Sequence, residues 1–484
     1  MIKKLFTLFI CTLSLAATFT SCGDEAIDVE SVNKQTIFVF YPWTGGTNTS
    51  GLTSFLENNV DSICEGIVAK KGLNNSRVMV FMSQNYRKSN LIDLQYDGNT
   101  KTVIRDTLKT YDEATYTTAE GFAEILNEVK RRAEALNYSL IIGAHGCGWT
   151  YKSDWVNYPY MARPNAGFAQ KGSTSCPTAT GNFSGIQYGP DPNKPITRFF
   201  GSVSLEENAL DVPTLAEGIK LSGTKMQYIL FDACYMGNVE TAYELKDVTN
   251  FMISSSSEVM GAGVPYKTIW SYLNSSAPNY SGFVNGVVNF YKNSSDPFCN
   301  MAAIDCRQMD NLAQVMKEIN SKYTFSSSVP LDSIQPLDGF SPNLFYDMSV
   351  YIDSLVPSGY LKDKYTSQMK LTIKAAAHTE QAYTGLMSYR GTTFKVKNYC
   401  GLSISDPSQH SVAIKGREKT ACVPCPNHCC NNPPKYPRVP ASPHHQQTYR
   451  AATYQMHAPP SAPRLPNSAV AYHDYKIPYK PTDA

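Results

Sequence analysis

Short, continuously apolar runs alternate along the chain with longer stretches whose apolar positions recur every three to four residues. Residues 36–41 (TIFVFY) lead into a helical pattern over 52–70, and 77–82 (RVMVFM) follows. Asp97-Gly98-Asn99, set between apolar runs at 91–96 and 102–106, predicts a hairpin. Phe122, Ile125, Leu126, Val129 and Ala133 share one face of a helix predicted over 118–136. Further strand-like runs occupy 138–144 (YSLIIGA), 226–231 (MQYILF), 251–255 and 301–304. Strands apolar on both faces, separated by helices, predict an α/β fold with a mostly parallel central sheet sandwiched by helices. No internal repeat stands out, and no apolar stretch after residue 21 is long enough to span a bilayer.

Two segments break this rhythm. Residues 151–200 are rich in Gly, Pro, Asn, Ser and Thr without periodicity, and predict an insertion or activation loop inside a domain spanning 36–404. Residues 405–484 hold 14 of the 29 prolines, six of the eight histidines and four cysteines. Both periods vanish there, so the tail is either a disordered extension or the product of a reading-frame shift after Ile404. On neither account does it carry a catalytic residue. Cys422, Cys425, His428, Cys429 and Cys430 have the close spacing of zinc ligands but lack a second, separated ligand pair.

With 42% hydrophobic residues in 484, the chain can fill a sizeable core. Lys plus Arg (43) nearly balances Asp plus Glu (41), which gives no footing for a nucleic-acid partner. The N-terminus reads as an address: Lys3 and Lys4, then an apolar run over 5–17, too short to cross a bilayer, predict a secretory signal over 1–21. Its end, Phe19-Thr20-Ser21-Cys22, resembles a bacterial lipoprotein signal. Acylated Cys22 would then be the lipid anchor, with 22–35 as the linker from a bacterial membrane. An ordinary soluble signal is the other reading, and on either the protein is exported. Such a compartment permits disulfides, but the spacing of the 13 cysteines assigns none.

With six histidines in the tail, the rest of the chain has only His145 and His378. His145 follows a buried-type strand in Ile141-Ile-Gly-Ala-His145-Gly-Cys-Gly-Trp149. Cys234 follows another in Phe231-Asp232-Ala-Cys234-Tyr-Met-Gly-Asn238, which turns into a helix. If these strands are parallel neighbours, their carboxyl ends open on one crevice, and the thiol and imidazole face each other. A thiol beside an imidazole and near a helix start is the arrangement that makes a thiolate nucleophile. Taken singly, a strand-end histidine is more often a hydrogen-bonded structural residue and a cysteine a small core hydrophobe. Matching contexts at both strand ends tip the pair toward chemistry. Cys147 is a rival thiol two residues from His145, while Cys64, Cys299, Cys306 and Cys400 lie in apolar patterns and read as core. Asp232, two residues before Cys234, shares its face and borders the same crevice. Glu258 and Asp347 are weaker candidates.

The HGxGW element after one strand and the FDACxMG element after a later one resemble the clostripain-like cysteine peptidases. So does Ser255-Ser-Ser-Glu258-Val-Met-Gly-Ala-Gly-Val-Pro265-Tyr, and the likeness runs roughly over 36–404. It implies a caspase-type fold, His145 and Cys234 as a catalytic dyad, and the backbone N–H groups of Gly146 and Cys234 as an oxyanion hole. It further implies Asp232 as the acid that receives an Arg or Lys side chain of a protein or peptide substrate. No cofactor is needed for that chemistry, though the likeness leaves room for calcium. The long insertion and Cys147 are departures from the family pattern. Lys152, Arg163, Lys171, Lys194 and Arg198 in the insertion are sites such an enzyme would itself cut. The competing class is a non-catalytic surface lipoprotein that keeps the fold for binding protein or glycan. It has no need of His145, Cys234 and Asp232 together. A metallohydrolase is poorer still, because no HExxH is present.

Overall fold

The computed structural model describes residues 33–42, 52–85, 87–112, 116–149, 199–201, 208–326, 328–339, 343–356, 358–385 and 392–405. In chain order the first elements are β1 (Gln35–Tyr41), α1 (Thr53–Ala69), β2 (Ser76–Asn85), β3 (Lys88–Asp97), β4 (Thr102–Tyr111), α2 (Ala119–Arg132) and β5 (Asn137–Gly143). Three short strands follow, β6 (His145–Gly146), β7 (Phe199–Gly201) and β8 (Ala209–Asp211). Then come α3 (Val212–Leu221), β9 (Met226–Asp232), α4 (Val239–Glu244), β10 (Thr249–Ser254), α5 (Tyr266–Leu273), α6 (Tyr280–Lys292), β11 (Asn300–Asp305) and α7 (Met309–Lys322). The remainder is β12 (Phe345–Asp347), α8 (Met348–Leu355), α9 (Tyr360–Thr372), β13 (Ile373–His378), β14 (Gln381–Thr384), β15 (Thr392–Lys395) and β16 (Ser403–Ser405).

Nine strands form one sheet in the order β13-β11-β10-β9-β5-β1-β2-β3-β4. Its centre, β10-β9-β5-β1-β2, is parallel throughout, and every pair outside that block is antiparallel. The α/β architecture expected from the apolar runs is therefore present, with antiparallel flanks added. All seven residues of β1 are buried, as a strand covered on both faces requires. Its side chains alternate: Phe38 and Phe40 join Phe122, Leu126 and Val129 of α2 on one face, while Ile37 and Val39 meet Val60, Ile63 and Ile67 of α1 on the other. Truncating a wholly buried phenylalanine such as Phe122 to alanine costs about 3–5 kcal/mol. Helix α2 starts where Thr118 accepts the Gly121 N–H at 3.0 Å. It ends after Lys130, Arg131 and Arg132, cations suited to the negative end of the helix dipole.

The order of the strands reverses beside β1, since β2 lies on one side and β5, then β9, on the other. Open α/β sheets bind ligands outside the carboxyl ends of their strands at such a switch point. The segments after β5, β9 and β10 all leave from those ends. Among the described residues no helix is long and apolar enough to cross a membrane. The signal, Cys22 and its linker, and the tail after Ser405 lie outside the described residues, as do Lys152, Arg163, Lys171, Lys194 and Arg198. Residues 199 and 200, assigned to the irregular insertion, belong instead to β7. Cys299 and Cys306 are core, but Cys64 and Cys400 are half-buried. The Arg105 guanidinium donates to the Cys64 sulfur at 3.6 Å.

Candidate active site

Strands β5 and β9 are adjacent and parallel, with Gly143 opposite Asp232. Equal register at their carboxyl ends carries the two following segments onto one another. A Cβ on Gly146 would stand 2.2 Å from the carbonyl oxygen of Cys234 and 3.0 Å from its nitrogen, so the histidine segment packs directly on the cysteine backbone. Only glycine permits that approach. The histidine segment is held on its other side by β7, His145 opposite Gly201 and Gly146 opposite Phe200. We expect Gly146→Ala to lower kcat by about a hundredfold or more, the scale on which small misplacements of reacting groups act, with the circular-dichroism spectrum retained. A fully active Gly146→Ala enzyme would mean this contact has no bearing on the chemistry.

The Cys234 thiol is almost covered, at 8% exposure. The Val259 N–H donates to its sulfur at 3.4 Å, and the thiol donates weakly to the Val259 carbonyl at 3.8 Å. Burial pushes the thiol well above its ordinary pKa, with the Glu258 and Asp232 carboxylates adding to the rise. Backbone N–H groups of Val259 and Gly146 act the other way. The sequence pointed to a helix start that would lower this pKa. Helix α4 opens only at Val239, capped by Asn238, and burial prevails at the sulfur. His145 is half-buried, and burial lowers its imidazole to about 4. At neutral pH the pair is thus a neutral thiol and a neutral imidazole, the form in which the imidazole can accept a proton. Cys147 is completely buried, and burial is the main cause that raises its thiol well above the ordinary value.

Between Cys234 and α4 the chain turns through Tyr235, a bulky residue in the left-handed region (φ 60°). Such a conformation costs about 1–3 kcal/mol and persists only when its surroundings fix it. Here the Tyr235 N–H donates to Ser257 O at 3.0 Å and its hydroxyl to Glu258 at 3.3 Å. The hydroxyl also bonds Thr384 at 3.0 Å, and the ring stacks on Phe345 at 5.2 Å. The 255–258 segment is in turn fixed by Asn300, whose side-chain oxygen accepts from the Ser256 N–H at 2.8 Å and from Ser255 Oγ at 3.0 Å.

Asp232 is buried, and one oxygen, Oδ2, accepts three hydrogen bonds: Asn59 Nδ2 at 3.1 Å, the Val264 N–H at 3.2 Å and Tyr266 O–H at 3.0 Å. Oδ1 accepts none from the described residues. Burial pushes this carboxyl up to about 6 despite its donors. Asn59, Tyr266 and Asn300 were not singled out in the sequence. Asn300, a polar residue at the head of an apolar strand, was the one visible signal. Asp347, by contrast, is structural: Oδ1 caps α8 through the Ser349 and Val350 N–H groups, each at 3.0 Å, and Oδ2 accepts the Cys400 N–H at 2.6 Å.

A family model described as the clostripain family, Peptidase C11, matches residues 185–421. Among solved structures, a secreted C11 cysteine protease from Bacteroides thetaiotaomicron, "iotapain", aligns with a TM-score of 0.65 at 35% identity, covering 80% of this chain and 98% of that one. An inactive zymogen C11 protease from Parabacteroides distasonis shares the fold at a TM-score of 0.59 and 21% identity, over 77% of this chain and 91% of its own. A secreted C11 cysteine protease from Bacteroides thetaiotaomicron, in complex with an irreversible peptide inhibitor, does so at 0.55 and 19%, over 76% and 91%. No curated protein matches.

Proposed function

The chain belongs to the clostripain family of cysteine peptidases, and from that footing we propose that it is an exported endopeptidase cutting after Arg or Lys with Cys234 and His145 as its dyad. Support for the dyad comes from the packing of Gly146 on the Cys234 backbone, which brings the histidine segment to the thiol. In this reading the thiol proton passes to the imidazole as the sulfur attacks the scissile carbonyl. The N–H groups of Gly146 and Cys234 receive the oxygen of the tetrahedral intermediate. Imidazolium then protonates the departing amine, and water hydrolyses the thioester. Asp232 supplies the selectivity, its Oδ1 meeting the cation of the residue before the cut. These steps use protein groups alone, and a chelator added to the assay reads any calcium requirement. Acylation of Cys22 would hold the enzyme at a bacterial membrane.

Peptides differing only in the residue before the scissile bond test this reading. Arg and Lys are expected to exceed citrulline and norleucine by about a hundredfold in kcat/KM, and equal rates would refute it. The same specificity suggests self-activation. Wild type purified at high concentration is expected to separate into two associated fragments cut within 151–200, while Cys234→Ala stays whole. Equal cutting of both would assign the break to a foreign protease.

A further inference from the structure

The Asp232 carboxylate is gripped by α1 and by the segment that leads into α5. Asn59 is a polar residue on the buried face of α1, which otherwise sets Leu56, Val60, Ile63 and Ile67 against the sheet. Tyr266 begins α5 directly after Pro265 and is fully buried. The two helices pack closely, since a Cβ on Gly66 of α1 would stand 2.7 Å from the Trp270 Cβ of α5. Beside the carboxylate Gly263 takes a left-handed conformation (φ 65°). A Cβ there would stand 2.9 Å from Oδ2, 3.2 Å from Oδ1 and 2.8 Å from Asn59 Nδ2. The Gly263 carbonyl accepts the Tyr291 hydroxyl of α6 at 2.6 Å, which fixes the turn that aims the Val264 N–H at Oδ2. All three donors therefore end on one oxygen. Asp347, also buried, spreads its three backbone donors over both oxygens.

We propose that Asn59 and Tyr266 are positioning residues for selectivity: by saturating Oδ2 they present Oδ1 of Asp232 alone to the cation of the substrate. The inference rests on the reading of Asp232 as selectivity acid and adds the geometry of its contact. A carboxylate oxygen has about two acceptor sites, so three donors leave none at Oδ2 for a guest. Donors from two helices also keep the carboxylate from turning. A guanidinium gains over an ammonium chiefly through two parallel bonds, one to each carboxylate oxygen. An acid that offers one oxygen forfeits that gain, and the compact lysine ammonium meets it equally well. The substrate class narrows to peptides in which Lys serves at least as well as Arg before the cut.

Values of kcat/KM for the full chain on three peptides, with Lys, Arg or norleucine before the scissile bond, test this. Wild type is expected to cut the Lys peptide at least as well as the Arg peptide, and Arg ahead of Lys overturns the single-oxygen pocket. Tyr266→Phe removes one donor and keeps the ring. Its kcat/KM is expected to fall about tenfold on Lys and not at all on norleucine. The loss on Arg is smaller, because the freed carboxylate can turn both oxygens to the guanidinium. Equal losses on all three peptides would mean that the hydroxyl supports only the fold, and would overturn its positioning role. In an Asp232→Asn background Tyr266→Phe is expected to add nothing, since it acts through that acid; a full further loss there also overturns the proposal. Norleucine cut as fast as Lys by wild type overturns instead the reading of Asp232 beneath it. Should Tyr266→Phe fail to fold, Asn59→Ala and the wild-type ratio of Lys to Arg still decide.

Discussion

Replacing Cys234 by alanine is expected to abolish turnover, lowering kcat by about 10⁴ or more, and His145→Ala to do the same. The double variant is expected to be no worse than either single one, as a thiol and imidazole acting as a unit would require. Cys147→Ser is the discriminating control. Cys147 is fully buried where Cys234 keeps 8% exposure, so it lacks the access of a nucleophile, and most activity should survive. The measurement is kcat on an Arg peptide, with the folded fraction checked by circular dichroism. A dead Cys147→Ser alongside an active Cys234→Ala would reverse the assignment.

Asp232→Asn is expected to lose on the order of a hundredfold in kcat/KM for Arg and Lys peptides while the fold persists. A charge-assisted hydrogen bond contributes about 1.5–3 kcal/mol, which is the size of that loss. The fold survives because the asparagine carbonyl can take the place of Oδ2 and keep Asn59, Val264 and Tyr266 as its three donors. That choice turns the NH₂ group to the Oδ1 position, where it repels a guanidinium. A pH signature follows from the raised carboxyl. As pH falls through about 6, Asp232 takes up a proton and loses the charge proposed to attract the substrate, so wild-type kcat/KM for basic peptides is expected to decline there. The variant lacks that limb of the profile. If Asp232→Asn keeps the wild-type preference for Arg, the residue is cleared of this role.

The central strands were legible because each is buried on both faces and so reads as an unbroken apolar run. β1, β5, β9 and β10 all stand where such runs lie. The site's two poles were legible for a local reason as well, since HG and DAC each follow a strand directly. What escaped was non-local or low in contrast. Strand β13 is IKAAAH, alanine-rich and continuous with α9; it becomes a strand only through pairing with β11, which nothing in its own residues announces. The bond from Asn59 to Asp232 joins positions 173 apart, and a polar residue on a helix face looks the same with or without such a partner. The left-handed Tyr235 was hidden too, because the turn is fixed by Ser257, Glu258, Thr384 and Phe345 rather than by a glycine. Ionisation was the least legible property. The strand-end context suggested an activated thiol, whereas burial and two carboxylates hold it protonated.

The most direct measurement is the site and selectivity of an irreversible label. A peptidyl chloromethyl ketone ending in Arg or Lys is incubated with the full chain, and the modified peptide is identified by mass. One adduct per chain on Cys234 is expected, formed much faster than with the norleucine analogue and greatly slowed in His145→Ala. Modification of Cys147 instead, or equal rates for the charged and neutral reagents, would contradict a Cys234 peptidase selective for basic residues.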